Sequence, residues 1–310
     1  MIDFWNVSKR YGEKLAVSHL DLHIPPGEVF AFLGPNGAGK TTTIRMLVGL
    51  LRPTEGRVSV CGYDATGRDR LAAQCIGYVP DQPYLYDKLT GREFLEFVGQ
   101  LRGLSRRELA ARIEREVARF EIGDFLDELT ETYSHGMRQR VVFAAAVLHD
   151  PQVIVLDEPT VGLDPRSTKL VKDLLRERAA AGTAVFMSTH TLSIAEEIAD
   201  RIGIIHHGKL IFVGTVEELR SARASDHASL EEIFLQLTAE EQQGTNSHSA
   251  PATETSVGDL DMTRSAVGNP HHGSSSREEH GDSPHEVNRP LHESPNESHL
   301  LAVKTRPDQQ

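Results

Sequence analysis

The segment Gly34-Pro35-Asn36-Gly37-Ala38-Gly39-Lys40-Thr41 constrains this chain more than any other. Glycines at its ends and middle let backbone N–H groups close around phosphate oxygens with no Cβ in the way. The apolar run Val29 to Leu33 precedes it and reads as a buried strand. A helix is expected to follow from Gly39 to Leu51, stopped by Pro53. Strand, glycine loop and helix in that order are the P-loop, a phosphate-binding turn of α/β proteins. Its helix N-terminus adds partial positive charge. Lys40 is expected to reach the β- and γ-phosphates of ATP, and Thr41 to offer its hydroxyl to Mg²⁺. Gly34, Pro35, Asn36, Gly37, Ala38, Gly39, Lys40, Thr41 and Thr42 are therefore assigned to the nucleotide.

A second feature complements the first. Val153 to Leu156 is a short apolar run that delivers Asp157 and Glu158 to its C-terminal end. Open α/β sheets bind ligands at that edge. Asp157 is expected in the Mg²⁺ shell, and Glu158 as the general base for an attacking water. An acid pair after a strand can be a simple capping motif; beside a P-loop it reads as chemistry.

Other runs fill in the fold. Ala184 to Met187 reads as a further buried strand, and Ile202 to Ile205 with Leu210 to Val213 as a hairpin around His207-Gly208. Leu20, Leu22 and Ile24 alternate with Asp21 and His23, as in a half-exposed antiparallel strand. Between roughly Thr90 and Asp150 strand signals vanish. There Arg106 to Phe120 places Leu109, Ile113, Val117 and Phe120 on one helical stripe. The expected fold is α/β: a P-loop NTPase (RecA-like) core, an N-terminal antiparallel β subdomain and an inserted helical subdomain at about 90–150.

Between the two nucleotide motifs lies Tyr133-Ser134-His135-Gly136-Met137-Arg138-Gln139-Arg140. Ser134 and Gly136 read as the start of a helix, an anion site in its own right. The segment resembles the signature motif of ATP-binding cassette (ABC) ATPases. Further resemblances follow in that family's order: Tyr11 to the aromatic that stacks on adenine, Gln82 to the glutamine loop, Gly162-Leu163-Asp164 to the D-loop, and His190 to the switch histidine. The resemblance spans about Ile2 to Leu237. It implies that Ser134, His135, Gly136 and Met137 act on a nucleotide held by a second subunit. It also implies that Gln82 and His190 join Glu158 in catalysis, that Gln82 touches Mg²⁺ with Thr41 and Asp157, and that Asp164 sits at the subunit interface. His135 and Met137 stand where Gly and Gln are commoner. Tyr-Ser-x-Gly-Met is similar to ATPases of ABC-2-type exporters, as is Leu230 to Leu235.

Charge and composition limit the alternatives. The 310 residues carry −12, so no basic face for nucleic acid is advertised. From Glu240 to Gln310, 12 acids against 5 Lys or Arg account for −7 of that, and seven of the 15 histidines lie there. That stretch has no aromatic residue and is expected to be a disordered tail over 239–310, with 1–238 as the ABC domain. Cys61 and Cys75 are too few for a disulfide framework. The longest apolar stretch, Val141 to Leu148, falls well short of the ~20 residues a membrane span needs. No basic-then-apolar leader is seen at Met1. The expectation is an ATPase at the cytoplasmic face of the membrane. It would pair with a second nucleotide-binding subunit, as a homodimer, and power separate ABC-2-type permease chains. A non-transport ABC ATPase would share every catalytic motif and is the alternative. Chromosome-maintenance ATPases separate their motif halves with long coiled coils, whereas about 115 residues lie between Lys40 and Asp157. In the loop Gln82 to Leu89, Tyr84, Leu85 and Tyr86 are expected to face a partner.

Overall fold

The computed structural model describes residues 1–68 and 70–222. The tail expected from 239 and the Leu230 to Leu235 segment lie outside the described residues. Two sheets organise the rest. The smaller is antiparallel, in the order β2-β1-β4-β5, from β1 (Ile2–Tyr11), β2 (Lys14–Ile24), β4 (Glu55–Val60) and β5 (Tyr63–Asp64). In β2 the expected alternation holds: Leu20, Leu22 and Ile24 are buried while Asp21 and His23 are exposed.

The larger sheet runs β10-β9-β3-β8-β7-β6. Its members are β3 (Val29–Leu33), β6 (Ile76–Val79), β7 (Val153–Asp157), β8 (Ala184–Thr189), β9 (Arg201–His206) and β10 (Lys209–Gly214). All neighbours are parallel except the β9–β10 hairpin. The continuous apolar runs have a direct cause: these strands are buried on both faces. Phe30, Phe32, Val153, Val155 and Phe186 face one core, shared with the small sheet. Their neighbours Ala31, Leu33, Ile154, Leu156 and Met187 face the other, shared with the helices. Phe186 anchors the first core, its ring centroid 5.3 Å from that of Phe32 and 5.9 Å from that of Phe30.

The later helices cover the second face, while the first two pack into the core shared with the small sheet through Ile44, Met46, Leu47 and Ala72. After α1 (Lys40–Leu47) and the short α2 (Leu71–Gln74) come α3 (Gly91–Leu101), α4 (Arg106–Phe120) and α5 (His135–Val147), the expected helical insertion. Capping boxes start α3 at Thr90 and Glu93 and α4 at Ser105 and Glu108. On α4, Leu109, Ile113 and Phe120 are buried and Val117 packs partly against the same core. The apolar stretch 141–148 is buried throughout, which explains its uniform hydrophobicity without a membrane. Its carbonyl at Ala146 crowds Gly77 of β6, where a side chain would collide. Thus α5 belongs to both the insertion and the sheet. The remaining helices are α6 (Pro165–Ala180), α7 (Leu192–Ile198) and α8 (Val216–Ala222). Among the described residues no helix is long and apolar enough to cross a membrane.

Two expectations need correction. Helix α1 ends at Leu47, not Leu51, because Gly49 takes φ +76 and the backbone turns there, with the Leu50 and Leu51 N–H groups donating back to Arg45. Pro53 therefore stops nothing. Leu85 does not face outward: it is 1% exposed and part of the second core, while Tyr84 is 74% exposed.

Candidate nucleotide site

The C-terminal edge of the large sheet holds the site. Between β3 and α1 the loop 34–39 curls over the start of α1. Gly39 takes φ +119 within reach of the Ala16 carbonyl, which a Cβ there would approach to 2.7 Å. A side chain is excluded on both counts. Lys40 opens α1 and is 7% exposed. Its ammonium donates to the carbonyls of Gly34 at 2.7 Å and Pro35 at 3.4 Å, and lies 3.6 Å from Glu158 Oε1.

Two strands away, β7 delivers the acid pair. Asp157 is 2% exposed, and its Oδ1 accepts a hydrogen bond from Ser188 Oγ at 2.6 Å. Burial pushes the Asp157 carboxyl above the usual range, outweighing the Ser188 and Thr41 hydroxyls that favour its charged form. Glu158 sits at φ +50, a strained conformation for a non-glycine residue, with its N–H donating to the Ser188 carbonyl at 3.1 Å. That turn aims its carboxylate between two partners. Lys40 is one, and His190 the other: Glu158 Oε2 is 2.8 Å from His190 Nδ1 and accepts from the His190 N–H at 3.2 Å. His190 therefore reaches the site through Glu158.

A cavity of about 460 Å³ lies over this edge. Pro35, Asn36, Gly37, Gly39, Lys40, Thr41 and Thr42 form its floor, and Asp157 and Glu158 one wall. Tyr11, at the end of β1 and 48% exposed, lines it as well. Gly34 contributes its carbonyl to Lys40, and Ala38 is buried in the first core; neither lines the cavity. Lys14 and Ala16 of β2 and Asp81 also line it, and sequence reasoning missed all three. Gln82, assigned to this site from the motif order, is not among the lining residues, whereas its neighbour Asp81 is; both are exposed.

The signature residues are elsewhere. Ser134 caps α5, its hydroxyl accepting from the Met137 N–H at 3.3 Å. Tyr133 beside it is buried, its hydroxyl donating among the carbonyls of Phe125, Leu126 and Glu128 and accepting from Gly91 N–H at 3.2 Å. His135 is exposed and rests against Gly162, and Met137 packs on the second core. Asp164 caps α6, accepting from the N–H groups of Arg166 at 2.9 Å and Ser167 at 3.0 Å and from Ser167 Oγ, which hold its carboxyl below the usual range. None of Ser134, His135, Gly136, Met137 and Asp164 lines the cavity.

A phosphate loop on a central strand, a buried aspartate two strands over, and a glutamate held between Lys40 and His190 define a P-loop ATPase. The chain belongs to the ABC transporter family of ATP-binding proteins. The ABC transporter family model matches residues 17–161. The daunorubicin/doxorubicin resistance ATP-binding protein DrrA of Streptomyces peucetius is 43% identical over 70% of this chain and 66% of its own length, just under two thirds. The ABC transporter ATP-binding protein NatA of Bacillus subtilis is 36% identical over 76% of this chain and 97% of its own length. The Nod factor export ATP-binding protein I of Burkholderia lata is 39% identical over 70% of this chain and 72% of its own length. Among solved structures, an ATP-binding subunit of an ABC transporter superposes with a TM-score of 0.73 at 31% identity, covering 77% of this chain and 99% of its own. A dimeric bacterial cassette in a post-hydrolysis state with ADP and phosphate does so at 0.63 and 28%, covering 70% and 99%.

Proposed function

We propose that this ATPase powers export, working as a nucleotide-sandwich pair at the cytoplasmic face of the membrane with separate ABC-2-type permease chains. The observation that carries the pairing is the split site: the cavity holds a complete phosphate loop and acid pair, while Ser134 to Met137 open α5 outside it. A second copy would bring its signature helix to this copy's nucleotide. The relatives named for drug resistance and Nod factor export support the export reading.

In this reading Lys40 leaves the loop carbonyls for the β- and γ-phosphates, and Tyr11 stacks on the base. Glu158 takes the proton of the attacking water, and His190 keeps that carboxylate oriented. Thr41 and Asp157 suit Mg²⁺: both offer hard oxygen donors, and burial leaves the Asp157 charge in want of a cation. The ion would supply charge neutralisation on the phosphates.

For the permease we propose the aromatic patch formed by the loop after Gln82 and the face of α3. Tyr84 meets Tyr86 edge-on at 5.9 Å, and Tyr86 meets Phe97 at 5.7 Å; all three are exposed. Rings of this kind bury area on a partner at small entropy cost.

The test of pairing is sedimentation of Glu158→Gln with and without ATP and Mg²⁺. A doubling of mass with ATP is expected; an unchanged mass would sink the sandwich.

A further inference from the structure

Ser188 is the second-last residue of β8 and is 0% exposed. Register fixes its surroundings. It pairs with Phe32 of β3 on one side and with Asp157 of β7 on the other. It therefore lies between the strand that leads into the phosphate loop and the strand that ends in the acid pair. Three contacts meet on it. Its hydroxyl donates to Asp157 Oδ1 at 2.6 Å. The Glu158 N–H donates to its carbonyl at 3.1 Å and to its Oγ at 3.3 Å. A hydroxyl has one proton to give and lone pairs to accept with, so these partners fix its direction. The proton goes to Asp157, and a lone pair receives the Glu158 N–H.

Glu158 needs such a hold. Its φ of +50 is costly for a residue with a Cβ and persists only where the surroundings over-determine it. Two residues at one strand end clasp it. Ser188 takes its backbone N–H, while His190 meets its Oε2 through the His190 N–H at 3.2 Å and Nδ1 at 2.8 Å.

We infer that Ser188 is a positioning residue for hydrolysis: one buried hydroxyl sets both the carboxylate offered to the cation and the backbone turn that aims the general base. The inference rests on the nucleotide reading of the cavity. Ser188 does not line that cavity, so it acts through its two neighbours rather than on the nucleotide. The phosphate loop is braced by other bonds, with the Lys40 ammonium on the carbonyls of Gly34 and Pro35. Loss of the hydroxyl should thus spare the capture of ATP, and cost turnover and the cation's share of binding. Alanine offers neither bond, threonine offers both, and cysteine fills the place with a weak donor and a weak acceptor.

The experiment uses the full chain. Steady-state hydrolysis is measured beside equilibrium binding of a slowly hydrolysed fluorescent ATP analogue, in Mg²⁺ and in chelator. Ser188→Ala should lower kcat by about 10- to 100-fold, the range for removing a hydrogen-bond partner of a metal-ligating group. It should leave analogue binding in chelator unchanged and shrink the gain in affinity that Mg²⁺ brings. Ser188→Cys should fall with it, and carries the same comparison should Ser188→Ala not fold. Ser188→Thr should retain most of the wild-type rate. An unchanged kcat in Ser188→Ala overturns the inference, as does equal weakening of analogue binding in both conditions, or a Ser188→Thr protein as slow as Ser188→Ala. Lys40→Ala separates the two levels: it should lose affinity with and without Mg²⁺. Undiminished binding by that variant would overturn the nucleotide site itself.

Discussion

Burial pushes the Asp157 carboxyl upward against the Ser188 and Thr41 hydroxyls that favour its charged form. With the folded pKa above the unfolded value near 3.9, the charged group weighs against the native state once pH has risen through the folded pKa. Below the unfolded value the effect is absent. Asp157→Asn should therefore raise the melting temperature of the nucleotide-free protein at neutral pH while removing hydrolysis. The gain should shrink as pH falls toward about 4. Thermal melts across pH check this; a less stable variant at neutral pH would contradict it. For Glu158, the place between Lys40 and His190 predicts that Glu158→Gln binds ATP but loses about 10²–10⁴ in rate, the usual share of a general base. Steady-state hydrolysis beside equilibrium binding separates the two effects. Lys40, Thr41, Asp157 and Glu158 were legible in the sequence because each belongs to a local motif whose spacing fixes its direction. Asp81 was not. Its place depends on the register between β6 and β7, strands far apart in the chain that meet only in space, where Ile76 pairs with Val153.

At the level of elements, the strands buried on both faces were readable as apolar runs, and β9–β10 from its turn. Strands β4 and β5 were not, because only Val58 to Val60 of the first are buried and both residues of the second are exposed. Leu85 was misread for a related reason: its neighbours are exposed aromatics, and only the packing of α3 and its surroundings hides it. Leu85→Ala should cost about 2–5 kcal/mol by urea unfolding, the range for a buried leucine, whereas Tyr84→Ala should cost little. Tyr133 is a clearer staple. Its hydroxyl serves the turn before the signature helix, so Tyr133→Phe should destabilise by about 1–3 kcal/mol in the same assay, through carbonyls and an N–H left without it. A second link joins the insertion to the core. Glu116 of α4 is fully buried, with Arg115 Nε at 2.7 Å, Arg119 Nε at 3.3 Å and Arg178 of α6 at 3.8 Å. Glu116→Ala strands those cations and should cost about 3 kcal/mol, the low end for a broken buried pair because Arg115 is 40% exposed.

Across the whole molecule, the chain carries one P-loop and one signature, and the structure keeps them apart. If sites are shared between copies, two inactive variants should rescue each other. Lys40→Ala retains a signature and Ser134→Arg retains a P-loop, so their mixture should regain part of the hydrolysis that each lacks alone. A mixture as inactive as its components would argue that each chain works by itself. The exposed start of α5 at Ser134 has a further consequence for rate. An enzyme that borrows half its site has no fixed specific activity: while pairs are scarce, turnover grows with the square of concentration, and dilution silences it. A membrane partner that holds two copies side by side raises their effective concentration to the millimolar order. It would switch hydrolysis on by tethering alone, without touching the nucleotide.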